Sequence, residues 1–127
     1  MTKIAITSPD LPAPAGPYSH VVDTGQFVFT AGFGPQDPKT GAVAETVAEQ
    51  TQQVINNVES ALKAVGLGLA DVVKTTVHLA DLHGDFAAYN EVYARRFPAP
   101  FPVRTTVGST LNHILVEIDA VAVRPTA

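Results

Sequence analysis

The sequence predicts an α+β fold, a six-stranded sheet with two helices on one face, in the order βββαβαββ. Three observations carry this. Two segments repeat apolar residues at helical spacing, six short segments read as strands, and Gly/Pro clusters punctuate the chain between them. Two amphipathic helices can cover one side of such a sheet, which leaves its other side to be covered from outside the chain. At 127 residues the chain reads as one domain, residues 1–127, with no repeat, low-complexity segment or linker.

Taken in order, Lys3 to Thr7 is a short candidate strand. Ser8 to Pro17 holds four prolines and must be a stiff loop, since proline fixes φ and donates no hydrogen bond. Ser19 to Gly25 and Gln26 to Ala31 read as two strands joined by a glycine turn. Gly32 to Gly41 is a loop with a tight turn near Pro38-Lys39-Thr40-Gly41.

Thr46 and Glu49 then fit a capping box, hydroxyl and carboxylate satisfying free N–H groups at a helix start. Val47, Val54, Ile55, Val58, Ala61, Leu62 and Val65 follow at helical spacing, and Gly66 supplies the stop. Gln50, Gln53, Asn57, Glu59 and Lys63 are placed on the outer side. Val72 to Ala80 alternates as a strand, with Val73, Thr75, Val77 and Leu79 on one side. A second helix runs from about Gly84 to Phe97, with Phe86, Asn90, Tyr93 and Phe97 on one stripe. Val103 to Ser109 and Leu115 to Arg124 complete the sheet.

Charged residues make up only 16% and the net charge is −4, with no basic cluster beyond Arg95-Arg96. This weighs against a broad nucleic-acid footprint, which needs cations along a phosphate track. Without cysteine there is no disulfide framework, thiolate nucleophile or Cys-based zinc site. The four histidines lack HExxH spacing, so no metal site is expected. The start of the chain leads into prolines rather than an apolar signal core, and no apolar run reaches the length of a membrane span. The expectation is a soluble cytoplasmic protein with no membrane partner.

Arg104 and Glu117 stand out, because each sits in a stretch that otherwise reads as an apolar strand. Side chains alternate along a strand, so Glu117 points away from Val116, Ile118, Ala120 and Ala122, the side a helix layer covers. It shares the uncovered side with Leu115, Val121 and Val123. An apolar sheet face with no cover of its own usually buries itself against another subunit. Arg104 could grip a carboxylate through its rigid fork, or form a structural salt bridge to Glu117 or Asp119. A partly desolvated carboxylate at Glu117 could act as a general base, or pair across a subunit contact. Asn90 could line a site or tie down a loop or strand end. Tyr18 follows the stiff loop as an edge tyrosine or a cavity wall. Gly32, in the strand exit Thr30-Ala31-Gly32-Phe33-Gly34, could offer backbone N–H groups to an anion or form a plain turn.

Six stretches in order carry a family resemblance: A-P-A-G-P-Y-S; F-T-A-G followed by D-P-K-T-G; D-V-V-K-T-T-V-H-L-A-D-L; F-A-A-Y-N-E-V-Y; F-P-V-R; and V-E-I-D-A-V-A. Together they run from about Leu11 to Arg124, and the chain resembles the reactive intermediate deaminase (RidA/YjgF) family. The resemblance implies a chorismate-mutase-like fold with a mixed sheet. It also implies a homotrimer with an inner barrel of sheets and sites between adjacent subunits. It implies cofactor-free hydrolysis of 2-imino acids and their enamine tautomers to 2-keto acids and ammonia. By position, Arg104 matches the arginine that grips the substrate carboxylate and Glu117 the glutamate that orients or activates water. Tyr18 and Asn90 match cleft residues, and Gly32 a glycine whose backbone holds substrate. Thr106 stands where cysteine is frequent, within the substrate-binding set. Ala31-Gly32-Phe33 replaces the common Ser-Gly-Gln, and Thr110 to His113 replaces a Leu-Pro turn. Two other readings remain open: a ribonuclease or translation inhibitor, an activity also assigned to relatives, and a non-catalytic trimer that binds small carboxylates.

Overall fold

The computed structural model describes residues 3–125, so Met1, Thr2, Thr126 and Ala127 at the ends of the predicted domain lie outside the described residues. Six strands and two α-helices follow the predicted order: β1 (Ile4–Ile6), β2 (Val21–Asp23), β3 (Phe27–Thr30), α1 (Val47–Lys63), β4 (Val72–Leu79), α2 (Leu82–Arg96), β5 (Val103–Gly108) and β6 (Val116–Val123). They form one mixed sheet in the order β1-β2-β3-β6-β4-β5, in which only β4 and β5 run parallel. The last strand thus inserts between β3 and β4.

Both helices lie on one face of the sheet. Val28, Thr75, Val77, Leu79, Val116, Ile118, Ala120 and Ala122 turn toward them and are buried with Val54, Ile55, Val58, Ala61 and Leu62 of α1 and Tyr89, Val92 and Tyr93 of α2. Among the described residues, no layer lies over the opposite face. Phe27 and Phe29 are 44% and 45% exposed there, paired across the ladder with Val123 and Val121.

The local chemistry explains the element ends. The Thr46 hydroxyl accepts from the Glu49 N–H and caps α1. The chain leaves α1 through Gly66 at φ 78°, a left-handed conformation that costs glycine nothing. Asp81 caps α2 by accepting from Gly84 N–H, starting that helix two residues earlier than its sequence pattern indicates. The predicted turn at Pro38–Gly41 closes on Asp37, whose carboxylate accepts from the Lys39 and Thr40 N–H groups and is held below its usual pKa by those bonds.

Three expectations are corrected. Gln50 and Asn57, placed on the outer side of α1, are buried at 4% and 1% exposure. Their amides clamp loops: Gln50 donates to Ala44 C=O and accepts from Leu115 N–H, and Asn57 donates to the carbonyls of Gly34 and Gln36. Val73 is exposed and Val72 buried, because a bulge between Val72 and Lys74 in the ladder with β6 reverses the alternation at that point. Phe86 lies at the rim rather than in the core, while Tyr89 and Val92 take buried positions.

Asn57→Ala would leave two loop carbonyls without their donor, a loss of about 1–3 kcal/mol. The expected result is a lower urea midpoint at unchanged m-value; an unchanged midpoint would show the clamp to be idle. Asp23 offers a pH test. It accepts from Gly25 N–H and pairs with Arg124, and these bonds hold its pKa below the ordinary value. A depressed carboxylate stabilises the fold above its unfolded pKa of about 3.9, and the gain is lost as pH falls through the lower folded value. Asp23→Asn should therefore lower Tm at pH 7, with the difference from wild type closing on acidification below that value.

Candidate active site

Arg104 and Glu117 lie on opposite faces of the sheet. In the parallel ladder Arg104 pairs with Thr75, and in the antiparallel ladder Glu117 pairs with His78. Paired residues share a face and successive residues alternate, so positions three apart on β4 point opposite ways. Thr75 is buried under α2, its hydroxyl 2.7 Å from that of Tyr93, whereas His78 is on the open face. Two strand spacings across and three residues along place the Arg104 and Glu117 backbones about 14 Å apart, with the side chains diverging.

Arg104 sits on the edge strand β5, beneath α2. Its Nη1 donates to the Asn90 side-chain oxygen at 2.8 Å. Three rings surround the guanidinium carbon, with the centroids of Tyr93, Tyr89 and Phe86 at 4.8, 5.3 and 5.8 Å. Ring faces attract a cation by roughly 0.5–2 kcal/mol each, depending on solvation. Burial raises the pKa of both tyrosines, opposed by the Thr106 and Thr75 hydroxyls and by the nearby guanidinium. Neither salt bridge proposed for Arg104 forms: among the described residues it pairs with no carboxylate, neither Glu117 nor Asp119. The remaining guanidinium donors border a cavity of about 330 Å³ walled by Asn90, Tyr93, Ala94, Phe101 and Pro102. An unpaired fork beside such a space fits a small anion.

Glu117 borders a different cavity, of about 610 Å³, on the open face with Tyr18, Gly32, Phe29 and Lys3. The Tyr18 hydroxyl accepts from Ala15 N–H, leaving its own proton to donate. Ala31 N–H bonds to His20 C=O and Phe33 N–H to Ile118 C=O, while the Gly32 N–H has no acceptor among the described residues. The Glu117 side chain lies directly against Gly32: a β-carbon there would stand 2.6 Å from Oε1 and 2.9 Å from Cδ. Beside it on β6, Asp119 is pushed toward a higher pKa by burial, which His78 and Lys74 partly offset.

The predicted site residues therefore divide into two groups. Arg104 and Asn90 are in contact on the helix side. Glu117, Tyr18 and Gly32 meet on the open side. Thr106 joins the first group indirectly, its hydroxyl 2.6 Å from that of Tyr89. The sequence reading missed Tyr89 and Phe101. Tyr89 was detectable, since it lies three residues after Phe86 and four before Tyr93, spacings that put all three on one side of a helix. His20, one of the four histidines without metal-ligand spacing, holds the proline-rich loop: it accepts from Ser8 N–H and donates to Pro12 C=O.

The model of the family described as Endoribonuclease L-PSP matches residues 8–124. A Salmonella typhimurium protein named 2-iminobutanoate/2-iminopropanoate deaminase is 44% identical over 124 residues, 94% of this chain and 96% of that protein. Among solved structures, the YjgF gene product of E. coli superposes with a TM-score of 0.90 at 39% identity, over 96% of this chain and 99% of that one. E. coli TdcF with bound serine gives a TM-score of 0.91 at 37% identity, over 97% and 100%.

The chain belongs to the RidA/YjgF family. The stretches that carry the resemblance have separate structural duties here. A-P-A-G-P-Y-S, F-T-A-G and V-E-I-D-A-V-A converge on the Glu117 cavity, whereas F-A-A-Y-N-E-V-Y and F-P-V-R build the Arg104 cavity. D-P-K-T-G is a turn that lines neither cavity, closed on Asp37. The RidA/YjgF departure at Phe33 is a buried side chain whose ring lies 5.8 Å from that of His20.

Gly32→Ala should fold normally, because the atoms in the way belong to a movable side chain, and should displace the Glu117 carboxylate. A crystal structure of the variant with that carboxylate unmoved would refute the close approach.

Proposed function

We propose that this protein is a cofactor-free deaminase that hydrolyses 2-imino acids and their enamine tautomers to 2-keto acids and ammonia. In this reading the chain is a single RidA/YjgF unit, cytoplasmic, and works as a homotrimer of the chorismate-mutase-like kind with its sheets turned inward. The observation that carries the proposal is the opposed placement of two unspent charges. A 2-imino acid is only a few ångströms long, so one protomer cannot offer it both Arg104 and Glu117. The edge position of Arg104 and the uncovered apolar face around Glu117 support a head-to-tail ring, in which each seam joins one copy's guanidinium to the next copy's carboxylate. The Salmonella typhimurium relative supports the reaction class through its name.

Each residue then has a task. Arg104, oriented by Asn90 and the aromatic rings, holds the substrate carboxylate through two parallel bonds. Tyr89, fixed by Thr106, keeps the guanidinium in place. Glu117 takes a proton from water as the water oxygen adds to the imine carbon, and the proton passes to nitrogen. The adduct hydroxyl then gives its proton, by way of Glu117, to nitrogen as the carbon–nitrogen bond breaks, so that the carbonyl forms and nitrogen leaves as ammonia. Gly32 N–H and the Tyr18 hydroxyl donate to the substrate or the adduct. The imine carbon is already electrophilic, so orientation and fixed dipoles can supply the acceleration.

Arg104→Ala and Glu117→Gln should each lower keto-acid release from 2-iminobutanoate by roughly a hundred- to a thousandfold. Co-assembly of the two inactive variants should restore about one quarter of wild-type activity, since random mixing in a ring leaves that share of seams with both residues intact. Two variants that fail to rescue one another despite proven mixed assembly would rule out a shared seam.

A further inference from the structure

A second cavity, of about 290 Å³, opens onto Glu117. Glu117, Gly32 and Tyr18 line both this space and the open-face cavity. The two differ in what builds the rest of their walls. The larger draws on the strand face, including Val22 and Phe29, which a neighbouring copy would cover in the proposed ring. The smaller is enclosed by loops of the same chain: Ala13 and Ala15 from the proline-rich loop, Phe33 and Gln36 after the β3 exit, and Asn112 and Ile114 before β6.

The chemistry of these walls selects the occupant. Among the lining residues only Glu117 carries a full charge. His20 also borders the space, but both its ring nitrogens are already bonded, to Ser8 N–H and Pro12 C=O, so it offers ring carbons. Buried Phe33 with Ile114, Pro12 and Ala13 supplies an apolar floor, while Gln36 and Asn112 bring amides to the same lining. The volume is that of about ten waters, far more than a methyl group fills. Loosely held water next to an apolar floor is displaced with gain by an apolar group.

We infer that this chamber receives the side chain of the substrate, and that the preferred imino acid bears a branched aliphatic or aromatic substituent. The inference rests on the deaminase reading of Arg104 and Glu117. With the imine carbon at Glu117, a substituent directed away from the sheet face enters the chamber without crossing a subunit boundary. Selection by side-chain size is then a property of each protomer's own loops, while reaction needs two protomers.

The test compares imino acids generated from leucine and from alanine by an amino-acid oxidase. Ala13, exposed at the chamber wall, is the position to fill. Wild type should favour the leucine-derived substrate in kcat/KM, and Ala13→Phe should reduce the leucine-to-alanine ratio by about tenfold or more, the scale of discrimination that hydrophobic pockets give. The same ratio in both proteins would overturn the inference. Calorimetric binding of 4-methyl-2-oxopentanoate and pyruvate supplies a readout that needs no turnover. Ala13→Phe should weaken the former about tenfold relative to the latter, and equal effects on both would again overturn it. If wild type releases keto acid from neither substrate, the deaminase reading fails, and the binding ratio still decides whether the chamber accepts the side chain.

Discussion

The alternation of side chains along β4 governs everything at this site. Thr75 and His78 are three residues apart and so face opposite ways, and the ladders on either side of β4 carry that opposition to Arg104 and Glu117. A cation and a carboxylate on one face would find each other and neutralise. Here the sheet itself keeps them apart, and each remains available beside an open cavity. The order β3-β6-β4-β5 is what makes this possible, because it places one strand between the two that bear the charges.

Holding a guanidinium without a carboxylate has a cost, and the protein meets it with aromatic faces. Tyr93, Tyr89 and Phe86 form a box around Arg104, and Asn90 supplies a neutral acceptor. A carboxylate in place of Asn90 would bind the cation more tightly, but would compete with an incoming anion for the same fork. A neutral amide fixes orientation and leaves the charge unspent. The two tyrosines are tied in turn to Thr106 and Thr75 on the strands below, so the box is braced by the same sheet that positions the arginine.

Most of the architecture was legible in the sequence because periodicity and punctuation agreed: the N-cap at Thr46, the stop at Gly66 and the alternation in β6 all recur in the structure, although the Glu49 carboxylate accepts from the Thr46 hydroxyl rather than from its N–H as a capping box requires. Composition failed where a polar side chain served the interior. Gln50 and Asn57 look like solvent-facing amides until the loops they clamp are known, and those loops come from distant parts of the chain. The bulge at Val73 was hidden because one extra residue shifts alternation without altering composition. For the site, the residue types were legible and their separation was not. Arg104 and Glu117 were each identified, but a one-dimensional reading left a direct salt bridge between them open. Only the register on both sides of β4 excludes it.

The geometry also bears on the competing reading as a ribonuclease. Cleaving a polynucleotide calls for several cations along a groove, since affinity comes largely from neutralising successive phosphates. The chain carries a net charge of −4. Arg104 stands in a cavity of about 330 Å³ whose other walls are aromatic, amide, alanine and proline. Across the sheet, the open face mixes Glu117 and Asp119 with Lys3, Lys74 and His78, and so presents no row of cations to successive phosphates. A single fork in a small, partly aromatic cavity matches one carboxylate on a compact molecule. The described residues offer no basic track for a polyanion, whereas the proposed substrate, with one negative charge, calls for a single guanidinium.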